Sequence, residues 1–169
     1  MQSHHLPQAR RLLRRMSRDP EKLLVVVDPR RTETAELADI HLAIRPGTDA
    51  LLVKAMIALI LQEGLHDAAY LEAHADGFAE ILPWFAGFDV RGALRVCELD
   101  YDLVVRVCRE FATRRSALLD DLGILMNRHS ALVSYLIVVL LAVCGRIGVP
   151  GGNGLEAWGK AAPRDPGVW

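Results

Sequence analysis

The sequence predicts one α/β domain, because two strand-like segments joined by a short helix are followed by long amphipathic helices. The strand-like segments are residues 23–27 and 40–44. Apolar residues recur at helical spacing over 51–60 and 101–113, and a nearly continuous apolar run over 131–144 indicates a buried helix. With 169 residues, of which 51% are hydrophobic, the chain can form one core. That apolar content is slightly high for a free-standing domain, which is consistent with a surface covered by another polypeptide.

The first predicted helix, residues 7–16, places apolar side chains on one face and four arginines on the other. A solvated helix face explains these arginines better than a phosphate site does. The helix is expected to end at Arg18-Asp19-Pro20, where the chain turns toward the first strand.

Residues 23–27 are the centre of the prediction, because five consecutive apolar residues, three of them valine, indicate a strand buried on both faces. Asp28, Pro29 and Arg30 follow directly and indicate a turn at its carboxyl end. Open α/β sheets bind ligands at that end. An acid there can accept hydrogen bonds from ribose hydroxyls or a base edge, and a guanidinium can hold a phosphate. The turn therefore predicts a nucleotide-like ligand.

The next segment predicts a βαβ unit, with a short helix capped by Thr32 and a second strand at residues 40–44. Gly47 lies in the turn after that strand, and Thr48 or Asp49 then starts a strongly amphipathic helix. Free backbone N–H groups at a helix start favour anionic or acceptor-rich ligand atoms. A carboxylate there can also accept two parallel hydrogen bonds from a guanine. The alternative is that Thr48 and Asp49 only cap the helix.

Residues 65–100 predict several short helices separated by glycine and proline, which we interpret as a helical insertion in the α/β domain. Three aromatic residues lie close together there: Trp84, Phe85 and Phe88. We expect them to pack the insertion rather than to stack on a base.

Residues 116–119 are interpreted as a third strand, leading to an acidic pair, Asp120 and Asp121. Adjacent acids on a strand point to opposite faces, which argues against a shared metal ion or paired catalysis. His129 either approaches a ligand from the same sheet edge or caps and packs a helix. The glycine-rich segment 145–153 permits close backbone approach, and residues 154–169 predict an irregular tail with exposed tryptophans.

Together these elements predict a Rossmann-like three-layer domain with a small, mostly parallel sheet over residues 1–153. A net charge of −1 gives no indication of nucleic-acid or membrane-surface binding. The longest apolar run, residues 131–144, is too short for a membrane span. The three cysteines fit a reducing compartment and a place in the core, and with no secretory signal pattern they predict a cytoplasmic protein.

Three motifs in this order resemble one family. They are DPRRTETA at residues 28–35, RPGTDA at 45–50, and GRIGVPGGN at 145–153. The combination is similar to the molybdopterin oxidoreductases of the dimethyl-sulfoxide-reductase and formate-dehydrogenase type, over roughly residues 5–153. The resemblance implies a molybdenum cofactor with two molybdopterin guanine dinucleotides, here called bis-MGD.

By this resemblance, Asp28, Pro29 and Arg30 line the cofactor site, and Gly47, Thr48 and Asp49 contact one guanine nucleotide. The resemblance also places Leu122, Gly123 and Met126 near the pterin. Residues 125–126 are Leu-Met where many relatives carry a polar glutamine. No residue of this chain is expected to be catalytic or to bind the metal.

Members of this family are usually longer, with an iron–sulfur cluster motif and a molybdenum ligand upstream of the matched part. The expectation is therefore a fragment or truncated member of a molybdenum oxidoreductase, inactive alone, that supplies part of the guanine-dinucleotide pocket. Its expected partners are the guanine dinucleotide and the remaining domains or subunit. The alternative is a non-catalytic interaction or assembly module, or one piece of a split enzyme. An independent dinucleotide dehydrogenase is disfavoured because no GxGxxG follows the first strand.

Overall fold

The structure is a computed structural model that describes residues 8–154, apart from the side chains of Ala9 and Leu125. The predicted tail lies outside the described residues from residue 155 onward, as do the first seven residues. The strands of the described part are β1 (Val25–Val27) and β2 (Ile40–Leu42). Its helices are α1 (Ala9–Met16), α2 (Glu33–Glu36), α3 (Asp49–Gln62), α4 (Ala68–His74), α5 (Phe78–Ile81), α6 (Pro83–Ala86), α7 (Val90–Val96), α8 (Tyr101–Thr113), α9 (Leu122–Leu125) and α10 (Ser130–Val143).

The two strands form the predicted βαβ unit. They pair in parallel, with Val25 opposite Ile40 and Val27 opposite Leu42, and α2 forms the crossover. The Thr32 hydroxyl accepts a hydrogen bond from the Ala35 N–H at 3.4 Å, as expected for a helix cap. This unit confirms the α/β class, with a small parallel sheet.

The first strand is not buried on both faces, contrary to the sequence interpretation. Val25 and Val26 are only partly buried, and 46% of Val27 is exposed. The reason is that β1 has a single neighbour, β2, in the described sheet, and few side chains cover its outer face. The apolar residues of β1 are therefore less buried than their sequence predicts.

Helix α3 is the centre of the hydrophobic core. Eight of its residues are buried, and it contacts α6, α7, α8 and α10. The short helices predicted for residues 65–100 are present as α4 to α7, and α7 packs its apolar face on α3. The helical insertion therefore shares the core of the α/β unit, while its status as an insertion stays a prediction.

The third strand predicted at residues 116–119 is wrong. No strand forms there, because the segment lacks a neighbouring backbone to pair with. The side-chain amide of Asn153 takes the place of such a neighbour: its Oδ1 accepts from the Leu118 N–H at 3.0 Å, and its Nδ2 donates to the Leu118 carbonyl at 2.6 Å. No helix within residues 8–154 is both long and apolar enough to span a bilayer.

Candidate functional site

Each of the two predicted nucleotide-binding turns follows a strand of the parallel pair. Because β1 and β2 run parallel, Asp28 after β1 and the turn after β2 both follow the carboxyl ends of their strands. Two contacts tie the first turn to β2: the Asp28 N–H donates to the Leu42 carbonyl at 3.2 Å, and the His41 ring lies 2.8 Å from the Asp28 carbonyl oxygen. The topology thus places the ends of both strands at one edge, with Asp28 directly after β1 and Gly47 five residues after the end of β2.

The first turn consists of Asp28, Pro29 and Arg30. The Asp28 carboxylate is half-buried and accepts a hydrogen bond from the Arg30 N–H at 2.8 Å, which fixes the turn locally. Pro29 and the Arg30 side chain are exposed. This arrangement leaves a guanidinium and part of a carboxylate facing solvent beside the sheet edge.

The second turn consists of Gly47, Thr48 and Asp49. Gly47 has a φ of +81°, a left-handed conformation that other residues rarely adopt. The Thr48 hydroxyl donates back to the Arg45 carbonyl at 2.7 Å, so it does not cap α3. The Thr48 carbonyl accepts from Leu51 and Leu52, at 3.0 Å each. Thr48 is therefore the N-cap residue of α3 through its backbone carbonyl, while its side chain makes no capping hydrogen bond, and whether Thr48 and Asp49 only cap the helix stays open.

Asp49 begins α3, and several hydrogen-bonding groups at this position have no protein partner among the described residues. Within residues 8–154, its carboxylate accepts no protein hydrogen bond, and neither its N–H nor that of Ala50 has a protein acceptor. Two free backbone donors at the positive end of a 14-residue helix suit an anionic or acceptor-rich group. The carboxylate beside them can accept from a donor-bearing base edge.

Leu122, Gly123 and Met126 lie on and just after α9, which packs on α10. Asp121 caps this short helix, accepting from the Leu122 N–H at 2.7 Å. The acidic pair therefore lies in a loop rather than on a strand, and one of its members serves as a cap. Leu122 is 65% exposed and Met126 is 77% exposed. Both apolar side chains face solvent in the described structure.

A groove of about 320 Å³ joins the second turn to α10. Its lining residues are Gly47, Thr48, Ala50, Leu51, Lys54, Trp84, Phe85, His129, Leu132, Tyr135 and Leu136. His129 therefore lies beside the second turn, whereas Asp28, Pro29, Arg30 and Asp49 lie outside the groove. Sequence analysis missed the contribution of Leu132 and Tyr135, although a tyrosine in a nearly all-apolar helix is a signal that could have found it.

The glycine-rich segment 145–153 is hydrogen-bonded to residues 112–118, which precede α9. Arg146 donates to the Ala112 carbonyl at 2.7 Å, to the Arg114 carbonyl at 2.8 Å and to the Ser116 hydroxyl at 3.1 Å. A Cβ at Gly152 would clash with the Arg146 backbone, so this approach requires glycine. Together with Asn153, these contacts hold residues 112–118 in place without a strand.

The cysteines are buried and unpaired, as the sequence analysis expected. Burial raises the pKa of Cys108 and of Cys144 to about 12, and it also raises the pKa of Cys97. The Cys97 thiol points at the Thr48 carbonyl, 3.8 Å away. Within residues 8–154, no group of three or more His, Cys, Asp or Glu side chains is placed to hold a metal ion.

Comparison with known proteins gives several relatives, although no family model matches the chain. The F420-dependent formate dehydrogenase subunit alpha of Methanocaldococcus jannaschii is 29% identical over 144 residues, covering 85% of this chain and 21% of that protein. A trimethylamine-N-oxide reductase of Salmonella typhi is 30% identical over 133 residues, covering 75% of this chain and 16% of that protein. Among solved structures, acetylene hydratase from Pelobacter acetylenicus superposes with a TM-score of 0.69 and 31% identity, over 73% of this chain and 17% of that chain.

These relatives define the class as large molybdenum oxidoreductases. Within this class, the chain belongs to the molybdopterin oxidoreductase family, as the three motifs predicted. It spans only about a sixth to a fifth of the length of these relatives and matches one segment of them.

Proposed function

We propose that this chain supplies part of a guanine-dinucleotide pocket in a molybdenum oxidoreductase of the bis-MGD type. The observation that carries the proposal is the second turn, where Asp49 combines an unengaged carboxylate with two free backbone donors at the start of α3. The proposal is supported further by the parallel pairing of β1 and β2, because the Asp28 turn follows one of these strands and the second turn follows the other. Family membership supplies the identity of the ligand that these groups suit.

In this proposal, different residues bind different parts of the ligand. The Asp49 carboxylate accepts from the guanine N1–H and exocyclic amine, while the free N–H groups at the start of α3 face ligand oxygens. Asp28 accepts from ribose hydroxyls, and Arg30 pairs with a phosphate. Leu122, Gly123 and Met126 belong to the pterin side.

When bound, the cofactor supplies the redox chemistry, and the residues of this chain bind and orient it. We therefore assign no catalytic residue and no metal ligand to this chain, and we expect the chain alone to be inactive. An iron–sulfur cluster, if the enzyme has one, belongs to other parts of the protein. The Rossmann-like classification and the domain boundaries at residues 1–153 and 154–169 stay part of the proposal.

A cytoplasmic location also stays a proposal. It is supported by three buried cysteines that form no disulfide among the described residues. It would be contradicted by recovery of the tagged protein outside the cytoplasm of its native host.

A nucleotide-binding measurement tests the pocket. GDP binding to the purified chain is measured by calorimetry, with ADP as the comparison ligand. We expect GDP to bind more tightly than ADP and Asp49→Ala to weaken GDP binding at least tenfold, because it removes both acceptors of the guanine edge. The matched control is Asp76→Ala, an exposed acid between α4 and α5. Equal GDP affinity of wild type and Asp49→Ala would reject the pocket.

A further inference from the structure

Three hydrogen bonds hold Asp28, and one of its acceptors stays free. The Asp28 N–H donates to the Leu42 carbonyl at 3.2 Å, and the carboxylate oxygen Oδ1 accepts from the Arg30 N–H at 2.8 Å. The Asp28 carbonyl oxygen lies 2.8 Å from Nε2 of the His41 ring. Within residues 8–154, the second carboxylate oxygen, Oδ2, accepts no protein hydrogen bond. The backbone and the side chain of Asp28 are thus fixed, and Oδ2 remains available as an acceptor.

The His41 ring replaces a backbone hydrogen bond that the two strands do not make. Hydrogen bonds between parallel strands advance by two residues along each strand. After the bond from the Asp28 N–H to the Leu42 carbonyl, the next bond would run from the Ile44 N–H to the Asp28 carbonyl. The Ile44 N–H instead donates to the Leu42 carbonyl at 2.9 Å, as the chain leaves β2. Among the described residues, the side chain of His41 therefore supplies the donor that the backbone does not.

The position of His41 in β2 suits this role. A carbonyl oxygen can only accept a hydrogen bond, so Nε2 of His41 carries the proton. His41 lies between Ile40 and Leu42, whose side chains are buried in the core, and successive side chains of a strand point to opposite faces. The partly buried ring therefore occupies the face of β2 away from the core. A substitution at this position can remove the donor without leaving a cavity in the core.

We propose that His41 is a positioning residue of the pocket, whose ring N–H holds the Asp28 carbonyl so that Oδ2 of Asp28 meets the ligand in a fixed direction. This inference rests on the proposed function, which assigns the ribose hydroxyls to Asp28. A site that is built to hydrogen-bond a hydroxyl rejects an analogue that lacks it, and it does so only while its acceptor is held in place. His41 therefore determines how strongly the site prefers ribose to a sugar without these hydroxyls.

The ligand-free full chain tests the hydrogen bond itself. Nitrogen-15 NMR of the neutral His41 ring should show the proton on Nε2. His41→Leu should raise the amide exchange rates of Asp28 and Arg30 about fivefold, because the turn loses one hydrogen bond. His41→Gln, whose side-chain amide can donate from a similar position, should stay within about twofold of wild type. A proton on Nδ1, or unchanged exchange in His41→Leu, would overturn the inference.

The sugar preference tests the consequence for binding. Calorimetry measures the affinities for GDP and for 2′,3′-dideoxy-GDP, which lacks both ribose hydroxyls. The wild-type chain should prefer GDP about tenfold, as expected for a hydrogen bond to a carboxylate. His41→Leu should reduce this preference to about threefold or less by weakening GDP binding, and His41→Gln should restore it. An undiminished preference in His41→Leu would also overturn the inference.

Ile40→Val is the matched control, because it removes a buried methyl group from the same strand and leaves the His41 ring in place. It should destabilise β2 and keep the full preference for GDP. If Ile40→Val lost the preference as His41→Leu does, the stability of β2 rather than the ring N–H would set it, and the positioning role would be rejected.

The outcomes separate this inference from the proposed function. Asp49→Ala should weaken GDP binding and keep the slow exchange of Asp28 and Arg30. If the wild-type chain binds neither nucleotide, the proposed pocket is rejected, and the ring proton and the exchange rates alone decide whether His41 holds the turn. If GDP binds without any preference for ribose, the guanine end stands and the positioning role is overturned.

Discussion

The βαβ corner and the helical body hold the two halves of the proposed site in different ways. In the body, α3 buries eight side chains among four other helices. In the corner, which comprises β1, α2 and β2, the strands are three residues long and Val27 is 46% exposed. Buried apolar area is the main source of folding free energy, so we expect β1 to be the weakest part of the corner, whereas Ile40 and Leu42 of β2 are buried in the core.

The second turn is tied to the segment at the end of α7, whereas the first turn reaches the core only through β2, whose Leu42 is buried there. The Arg45 N–H donates to the Cys97 carbonyl at 3.0 Å, and the Cys97 thiol approaches the Thr48 carbonyl, so α7 ties the Gly47–Asp49 turn to the core. The backbone contacts of Asp28 described above lead only to β2. We conclude that the guanine end of the proposed pocket is preformed and that the ribose–phosphate end depends on the corner.

The largest predicted effect tests the contrast directly. Ile57→Ala in α3, at a position with 0% exposure, should lower the free energy of unfolding by about 2–5 kcal/mol, because it leaves a cavity in the core. Val27→Ala in β1 should cost no more than about 0.5 kcal/mol, as an exposed substitution does. Urea denaturation measures both. Similar losses for the two variants would show that the corner is as well packed as the body.

The next effect concerns the anchor. Cys97→Ala should destabilise the chain by about 1 kcal/mol and weaken GDP binding about threefold or more, because the turn loses its contact with the thiol. Cys108→Ala, which removes a thiol as deeply buried but away from the turn, should cost similar stability and leave GDP binding unchanged. Parallel denaturation and calorimetry would decide. Equal GDP affinities for the two variants would contradict the anchoring.

A local measurement sharpens the description of the corner. The Asp39 carboxylate accepts from the Leu24 N–H at 2.8 Å and so supports the start of β1. Asp39→Ala should lower the free energy of local unfolding of β1 and β2 by about 1 kcal/mol. Amide exchange in these strands should then be about fivefold faster, while exchange in α3 should not change. Hydrogen exchange by NMR gives both values, and Asp76→Ala is the control. Faster exchange throughout α3 would mean that corner and body unfold together.

The same contrast explains which features the sequence could predict. Helix α8 carries a periodic apolar pattern and α3 and α10 are long, strongly apolar segments, so the body followed from spacing and composition, and in the corner the cap of α2 at Thr32 is a local signal. The turns at Asp28 and Gly47 followed from motifs at the ends of a parallel pair.

The features that sequence analysis missed depend on distant partners. The failed third strand depends on an amide from Asn153, 35 residues away from Leu118, and the exposure of Val27 depends on which elements cover the sheet. The groove likewise combines α3, α6 and α10, which no local pattern reveals. These features depend on long-range packing, which the periodicity of the sequence does not predict.

The smallest predicted effect asks whether the body depends on surface charge as well as on burial. Arg109 donates two hydrogen bonds to the Glu63 carboxylate, at 2.8 and 2.9 Å, and these bonds hold the pKa of Glu63 below its ordinary value of 4.5. A lowered pKa in the folded state means that the stabilisation is present above pH 4.5 and is lost as the pH falls through the folded-state pKa. Glu63→Gln should therefore melt slightly below wild type at pH 7, and the two melting temperatures should converge toward pH 3. Because the pair is largely exposed, the difference should be far smaller than that of Ile57→Ala and should shrink in high salt. A gap that persists unchanged at pH 3 would show that the Glu63 side chain stabilises α3 by packing rather than by its charge.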